Sequence, residues 1–210
     1  MEIAEAFGIT WLIVWGGIHL GWVAWARGEL VLAEARCRHS LALTRQHGFP
    51  LGSAWGLQGL GLIALSRGEI AQAETLWSES LVSFRAGGLP FDIAFALNCV
   101  GQARLAQGDT AGATAQFEES MQVAQPAKNS WNIANSLEGL GRVAWAQGLP
   151  SRAAQLFGNA EALRESMAVR LWPPYLAPYE QLCTEIRRAL GDALFGALWA
   201  EGRASAFTGA

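Results

Sequence analysis

The chain of 210 residues repeats itself with a period of 40 residues. In four copies a Gly follows a Leu or Val, a second Gly comes seven residues later, and an Ala comes five residues after that. These columns are Gly21, Gly61, Gly101 and Gly141; Gly28, Gly68, Gly108 and Gly148; and Ala33, Ala73, Ala113 and Ala153. The next column is Cys37, Trp77, Phe117 and Phe157. A fixed period of this size predicts a stack of similar units rather than one globular core.

Each copy holds two segments of about 17 residues whose apolar positions follow helical spacing. The first helix of each copy is predicted over 10–27, 51–67, 91–107 and 131–147, and the second over 30–46, 70–86, 110–125 and 150–168. The second Gly column ends the first helices, because Gly adopts the left-handed conformation at low cost. Pro50, Pro90 and Pro126 are expected in the gaps between copies, where a helix cannot run through.

The Gly column that begins at Gly21 lies inside the first helices, where each Gly costs about 1 kcal/mol relative to Ala. We expect these residues to permit close approach of the second helix, whose Ala33-type residue is also small. A phosphate-binding loop is a poor alternative, because the sequence has no GxxxxGK[ST] motif and the glycines fall within helices.

Composition excludes several classes of function. With 51% hydrophobic and 16% charged residues the chain is not disordered, and its net charge of −3 gives no basis for direct nucleic-acid contact. The three Cys are widely spaced, which indicates a reduced, cytoplasmic chain, and Cys37 is predicted to be a core thiol. No catalytic set, metal site or cofactor motif is present, so we predict neither an enzyme nor a cofactor.

The apolar stretch from Phe7 to Trp25 has the length of a membrane helix or signal peptide. The start of the chain is acidic rather than basic, and Gly16, Gly17 and His19 interrupt the stretch. It is therefore interpreted as the first helix of copy one, with no membrane contact expected.

The pattern Leu60-Gly61, Gly68, Ala73, Trp77 and Ser80 resembles the tetratricopeptide repeat (TPR) signature. The period of 40 rather than 34 is similar to the longer-helix TPR variant of large bacterial signalling ATPases and LuxR-type transcriptional regulators. The tail, with Pro173-Pro174-Tyr175 and the segment 189–203, is similar to the segment that closes such arrays. Copies one and three depart from the signature at Cys37 and Arg104.

The resemblance implies an all-α fold, an α-solenoid of antiparallel helix pairs in a right-handed superhelix. Four pairs would occupy residues 1–170, with repeats about 10–48, 50–88, 90–128 and 130–168, and capping helices with a tail would occupy 171–210. It also implies a non-catalytic scaffold that binds a protein or peptide segment, or a small effector, on its concave wall. The role implied is the sensor and interaction region of a bacterial regulator.

One stripe of the first helices, read at i, i+4, i+7, i+11 and i+14, lies on the side that resembles this concave wall. It is rich in Trp in copy one and becomes polar in copies three and four. The predicted partner-binding residues are Trp22, Trp25, Trp55, Gln58, Phe95, Asn98, Gln102, Asn135, Glu138, Arg142 and Trp145.

Two interpretations of this stripe remain open. Its residues line a groove for an apolar or aromatic ligand, or they serve packing: between neighbouring copies, against residues 1–9, or over an edge left by a missing upstream repeat. In copy one, where Trp11, Trp15, Trp22 and Trp25 lie together, packing or self-association is favoured, because so large an apolar patch is seldom left uncovered. A structural module that assembles through this Trp-rich repeat is the alternative function.

Overall fold

The computed structural model describes residues 2–205, with side chains from residue 11 onward. Every regular element in this range is an α-helix, which confirms the all-α prediction. The helices are α1 Glu2–Ala26, α2 Leu30–Gln46, α3 Pro50–Ser66, α4 Ile70–Gly87, α5 Pro90–Ala106, α6 Thr110–Ala124, α7 Ser130–Ala146, α8 Pro150–Ser166, α9 Pro173–Leu190 and α10 Asp192–Ser205. They form two compact units, α1–α4 within Met1–Leu89 and α5–α10 within Pro90–Ala210. The division into repeats over 1–170 and a cap over 171–210 stays a prediction.

The helix ends follow the local chemistry of the sequence. The Gly that follows each first helix has a positive φ, 77° at Gly68 and 74° at Gly148, so the left-handed conformation expected there is present. Pro50 and Pro90 differ from the prediction, since each is the first residue of a helix rather than part of a gap. Proline suits this position because its missing N–H has no partner within the helix anyway.

In the first unit, α1 pairs with α2 and α3 pairs with α4, and α3 also packs on α1 and α2. Trp77 of α4 is fully buried, and its indole N–H donates to the backbone carbonyl of Gln58 in α3 at 3.2 Å. The ring lies directly over Gly61, where an added Cβ would come within 2.6 Å of the indole Cδ1. The in-helix Gly therefore permits close approach as expected, but the group it admits is the aromatic side chain rather than the small Ala.

The second unit repeats this arrangement with Phe117 over Gly101 and Phe157 over Gly141. Its last two helices pack on α8, and Gly202 of α10 lies against the backbone of α8. Their apolar side chains join one core, which contains Phe157, Ile186 and Phe195. The face of α8 that points away from α7 is thus covered.

Among residues 2–205, no helix has both the length and the hydropathy needed to cross a membrane.

Candidate partner-binding surface

In the first unit, the Trp stripe of copy one faces α3. The ring centroid of Trp15 lies 4.3 Å from that of Trp55, and that of Trp11 lies 5.9 Å from it. Trp25 is 2% exposed and donates its indole N–H to Ser66 Oγ at 2.8 Å. Trp22 is half-buried and lies beside Gly59 of α3. These contacts favour the interpretation that this part of the stripe packs between copies.

Gln58 is fully buried between α3 and α4, so the interpretation of this side chain as part of an open wall does not fit the structure. Its Nε2 donates to Ser80 Oγ at 2.7 Å. A buried amide needs such a partner, because an unpaired one would cost about 1–3 kcal/mol. Gln58 and Trp25 thus stabilise the interior of the unit and are not accessible to a ligand there.

In the second unit, Asn98 is 1% exposed and joins α5 to α7. Its Nδ2 donates to the carbonyl of Asn132 at 3.2 Å, and its Oδ1 accepts from Ser136 Oγ at 2.8 Å. Phe95 is 8% exposed and packs on Trp131 with ring centroids 5.4 Å apart. Both residues were predicted to contact a partner, but they hold neighbouring first helices together because the stripe is also the surface on which those helices meet.

A charged cluster lies further along α7. Glu138 Oε1 accepts from Arg142 Nη2 at 2.8 Å, and Glu138 Oε2 lies 2.9 Å from Arg164 Nη1. Glu138 is 9% exposed and Arg164 is 7% exposed. Within the described residues, neither terminal nitrogen of Arg164 makes a hydrogen bond of good geometry. The cluster therefore has two guanidinium groups, one carboxylate and more N–H donors than its acceptors use.

Arg164 was not predicted as a site residue, although the sequence contains a signal for it. Its repeat column holds Thr44, Phe84 and Ala124 in the other copies, and all three are buried. A charged residue in a buried column needs an internal partner or a ligand, because burying an unpaired charge is very costly. Comparing charges within columns, rather than along one helix, would have found it.

Two tyrosines of α9 border this charged cluster. The guanidinium of Arg164 lies 5.4 Å from the ring centroid of Tyr179. Burial raises the pKa of the Tyr179 hydroxyl, and it raises that of Tyr175, on which the nearby Cys99 and Glu138 act in the same direction. Both phenols thus stay neutral at ordinary pH and can donate a hydrogen bond.

Four of the predicted residues of the second unit are partly accessible, namely Gln102 on α5 and Asn135, Arg142 and Trp145 on α7. Asn135, Glu138, Arg142 and Trp145 recur at intervals of three and four residues, so they share one face of α7. This face combines the amide of Asn135, the Glu138–Arg142 ion pair and the indole of Trp145. Such a face suits a partner that presents a polar group next to an apolar group. In the part of the chain that the structure describes, no group of three or more His, Cys, Asp or Glu side chains could hold a metal ion.

The helices that build this surface can be compared with known families. Residues 92–166 match the tetratricopeptide repeat family. The match runs from α5 to the end of α8 and includes the charged cluster, so the predicted TPR resemblance is supported for these helices. TPR repeats generally act as scaffolds for protein–protein interaction and are typically non-catalytic. Comparison with curated proteins gives no significant match.

The three cysteines are free thiols in buried or half-buried positions. Cys37 is fully buried, as predicted for a core thiol, and burial raises its pKa to about 12. Cys99 is buried as well, and burial raises its pKa further still. The half-buried Cys183 has its pKa raised to about 11, chiefly by burial. Thiols with such pKa values are poor nucleophiles at neutral pH.

Proposed function

We propose that this chain is a non-catalytic scaffold that binds a protein or peptide segment on the α7 face of its second unit. The observation that carries the proposal is the Glu138–Arg142–Arg164 cluster, which lies in the TPR-matched helices and has an excess of one positive charge. Charged hydrogen bonds of this kind give an interface its register and selectivity.

The cluster favours a partner segment that carries a carboxylate. Glu138 holds the Arg142 side chain in place through two hydrogen bonds, from Nε at 3.2 Å and from Nη2 at 2.8 Å. A guanidinium that is already positioned loses little side-chain entropy when it binds. Trp145, one turn further along α7, offers an aromatic surface for an apolar part of the same segment.

Only the accessible part of the predicted site enters the proposal. It consists of Gln102, Asn135, Arg142 and Trp145, with Glu138 and Arg164 as the residues that orient Arg142. Trp22 and Trp55 of the first unit are half-buried, and a role for them in binding stays a prediction.

The test is selection of binding peptides followed by calorimetry. Peptides chosen from a random displayed library with the wild-type chain are titrated into Arg142→Ala, Trp145→Ala and the control Arg152→Ala, whose side chain is exposed on α8. We expect Kd to rise about tenfold or more for the first two, corresponding to a loss of about 1.4 kcal/mol, and to stay unchanged for the control. The proposal is wrong if both variants bind the selected peptides as tightly as the wild type does, or if the library yields no binder.

We further propose that the scaffold serves a transcription or signalling regulator. The support is the resemblance of the closing segment, now seen as α9 and α10, to the end of the TPR arrays in such proteins. The reading frame around the coding sequence tests this role, since an adjoining ATPase or helix-turn-helix domain is expected and an unrelated domain would contradict it.

A further inference from the structure

An open cavity of about 470 Å³ lies where α8, α9 and α10 of the second unit meet. We call it the α9–α10 cavity. Its volume falls within the range of about 300–1,000 Å³ that is typical of small-molecule sites. The residues that line it come from α8, α9 and α10 alone, so it is separate from the α7 face.

The cavity arises from the way in which the last two helices pack. Helix α10 lies directly against α8, because Gly158 and Gly202 let the two backbones come close together. Between α9 and α10 the chain turns at Gly191, which has a φ of 77°. The side chains that line the space between α9 and α10 include small ones, such as Cys183 and Ala200, and the space therefore stays unfilled.

Aromatic rings form the apolar part of the lining. They belong to Tyr179, Phe195 and Trp199, and the ring centroids of the last two lie 5.0 Å apart. A cation already lies on this surface, since the guanidinium carbon of Arg187 is 4.6 Å from the ring centroid of Phe195. Aromatic ring faces attract cations electrostatically. The lining thus suits a ligand that combines an apolar body with a positive charge.

Glu161 contributes a carboxylate that is held in a fixed position. Its Oε2 accepts hydrogen bonds from Trp199 Nε1 and Arg203 Nη1, both at 2.7 Å. Its Oε1 accepts no hydrogen bond within the part of the chain that the structure describes. One oxygen therefore orients the carboxylate, and the other can accept a hydrogen bond from a ligand.

The charge that remains available in the cavity is negative. Arg203 is paired with Glu161, and Arg187 lies 3.7 Å from Asp192. Glu180 also lines the cavity, and its carboxylate has no partner among residues 11–205. An anion would therefore meet guanidinium groups that are already paired, whereas a cation would meet two carboxylates that can still accept hydrogen bonds.

We propose that the α9–α10 cavity binds a small organic amine, whose ammonium group donates to Glu161 Oε1 and whose apolar part packs on Trp199 and Tyr179. A hydrogen bond between two charged groups is about twice as strong as one between neutral groups, so it selects the amine over an uncharged analogue. Both rings are half-buried and can lose further apolar surface to the ligand. The proposal does not depend on the proposed function, because the α7 face contributes no residue to the cavity.

Calorimetry with matched probes tests the chemical class of the ligand. The amines are 2-phenylethylamine and tryptamine, and each is compared with its alcohol, 2-phenylethanol or tryptophol, and with its acid, phenylacetate or indole-3-acetate. At least one amine is expected to bind with a Kd of about 1 mM or below, and its alcohol about tenfold more weakly or worse. The proposal is overturned if neither amine binds, or if the alcohols or acids bind as tightly as the amines.

Two variants test the position of the site. Glu161→Gln should raise the Kd of the amine about tenfold or more, whereas the control Glu118→Gln, which changes an exposed carboxylate on α6, should leave it unchanged. Gly196→Leu fills the cavity without altering Glu161, and it should fold normally because a Cβ at Gly196 would meet no atom within 4 Å.

Gly196→Leu should abolish binding, and circular dichroism establishes that each variant is folded. Unchanged binding by folded Gly196→Leu would overturn the assignment to this cavity, whatever the effect of Glu161→Gln on the fold. Equal Kd values for folded Glu161→Gln and for Glu118→Gln would overturn the role of the carboxylate.

Discussion

Replacing Gly61 with Ala should destabilise the protein, although helix propensity alone predicts the reverse. In a helix interior Ala is about 1 kcal/mol more favourable than Gly. Gly61 lies in the middle of α3, so a sequence argument that considers only propensity expects Gly61→Ala to stabilise the chain.

The structure reverses the expected sign. A Cβ at residue 61 would lie 2.6 Å from both Cδ1 and Cε2 of the Trp77 indole, and still closer to its Nε1. The ring is fully buried and is held by its hydrogen bond to the Gln58 carbonyl, so it cannot move aside without disturbing the core. Overpacking of this kind costs about 1–3 kcal/mol, and the tight contact and the displaced hydrogen bond place the cost at the upper end. When the gain of about 1 kcal/mol in helix propensity is subtracted from this cost, the free energy of unfolding should fall by about 2 kcal/mol.

The assay is urea and thermal unfolding followed by far-UV circular dichroism. A loss of about 2 kcal/mol lowers Tm by roughly 4–8 °C for a chain of this length. Gly196→Ala is the matched control, because Gly196 lies within α10 and a Cβ there would meet nothing within 4 Å. The control should be as stable as the wild type or slightly more stable. Gly61→Ala with unchanged or increased stability would refute the argument from close packing.

Two further predictions concern charged groups. Glu138→Ala leaves the buried Arg164 without its ionic partner, so it should lower the free energy of unfolding by about 3 kcal/mol. The control Glu118→Ala removes an exposed carboxylate and should change that free energy by less than about 0.5 kcal/mol. Equal effects of the two variants in urea unfolding would contradict the prediction. Hydrogen bonds from Arg67 and Arg38 hold the pKa of Glu34 below its ordinary value of 4.5, so this contribution to stability is present above that pH and is lost as the pH falls through the lowered pKa. Tm measured from pH 7 to acid should therefore fall more steeply for the wild type than for Glu34→Gln, and parallel curves would count against the ion pairs.

The helices and their ends were predictable because their causes are local. Helical spacing, a Gly that takes a positive φ and a Pro at a helix start act within a few residues, and repetition in four copies makes the pattern clear. The burial of Cys37 was predictable for a related reason, since its column holds large apolar residues in the other copies. Even so, Pro50 and Pro90, two of the three Pro predicted in gaps, begin helices instead, because the first turn tolerates proline.

The candidate site was less predictable, because one stripe of the first helices serves two purposes. Gln58 and Asn98 were predicted to contact a ligand because they are polar residues on an apolar stripe. Both are buried instead: Gln58 donates to Ser80, and Asn98 bonds to Asn132 and Ser136. Arg142 lies on the same stripe and remains partly accessible. Spacing along one helix cannot separate these cases, since burial depends on which other helix lies opposite.

The sequence by itself determined the 40-residue unit, its two helices and the close approach of those helices at Gly61 and its equivalents, because these follow from backbone conformation and periodicity. Only the tertiary structure decided which side chains of the stripe stay accessible and that Arg164 joins Glu138. The physical reason is that exposure and ion pairing depend on distances between segments far apart in the chain, and a pattern within one segment does not contain those distances.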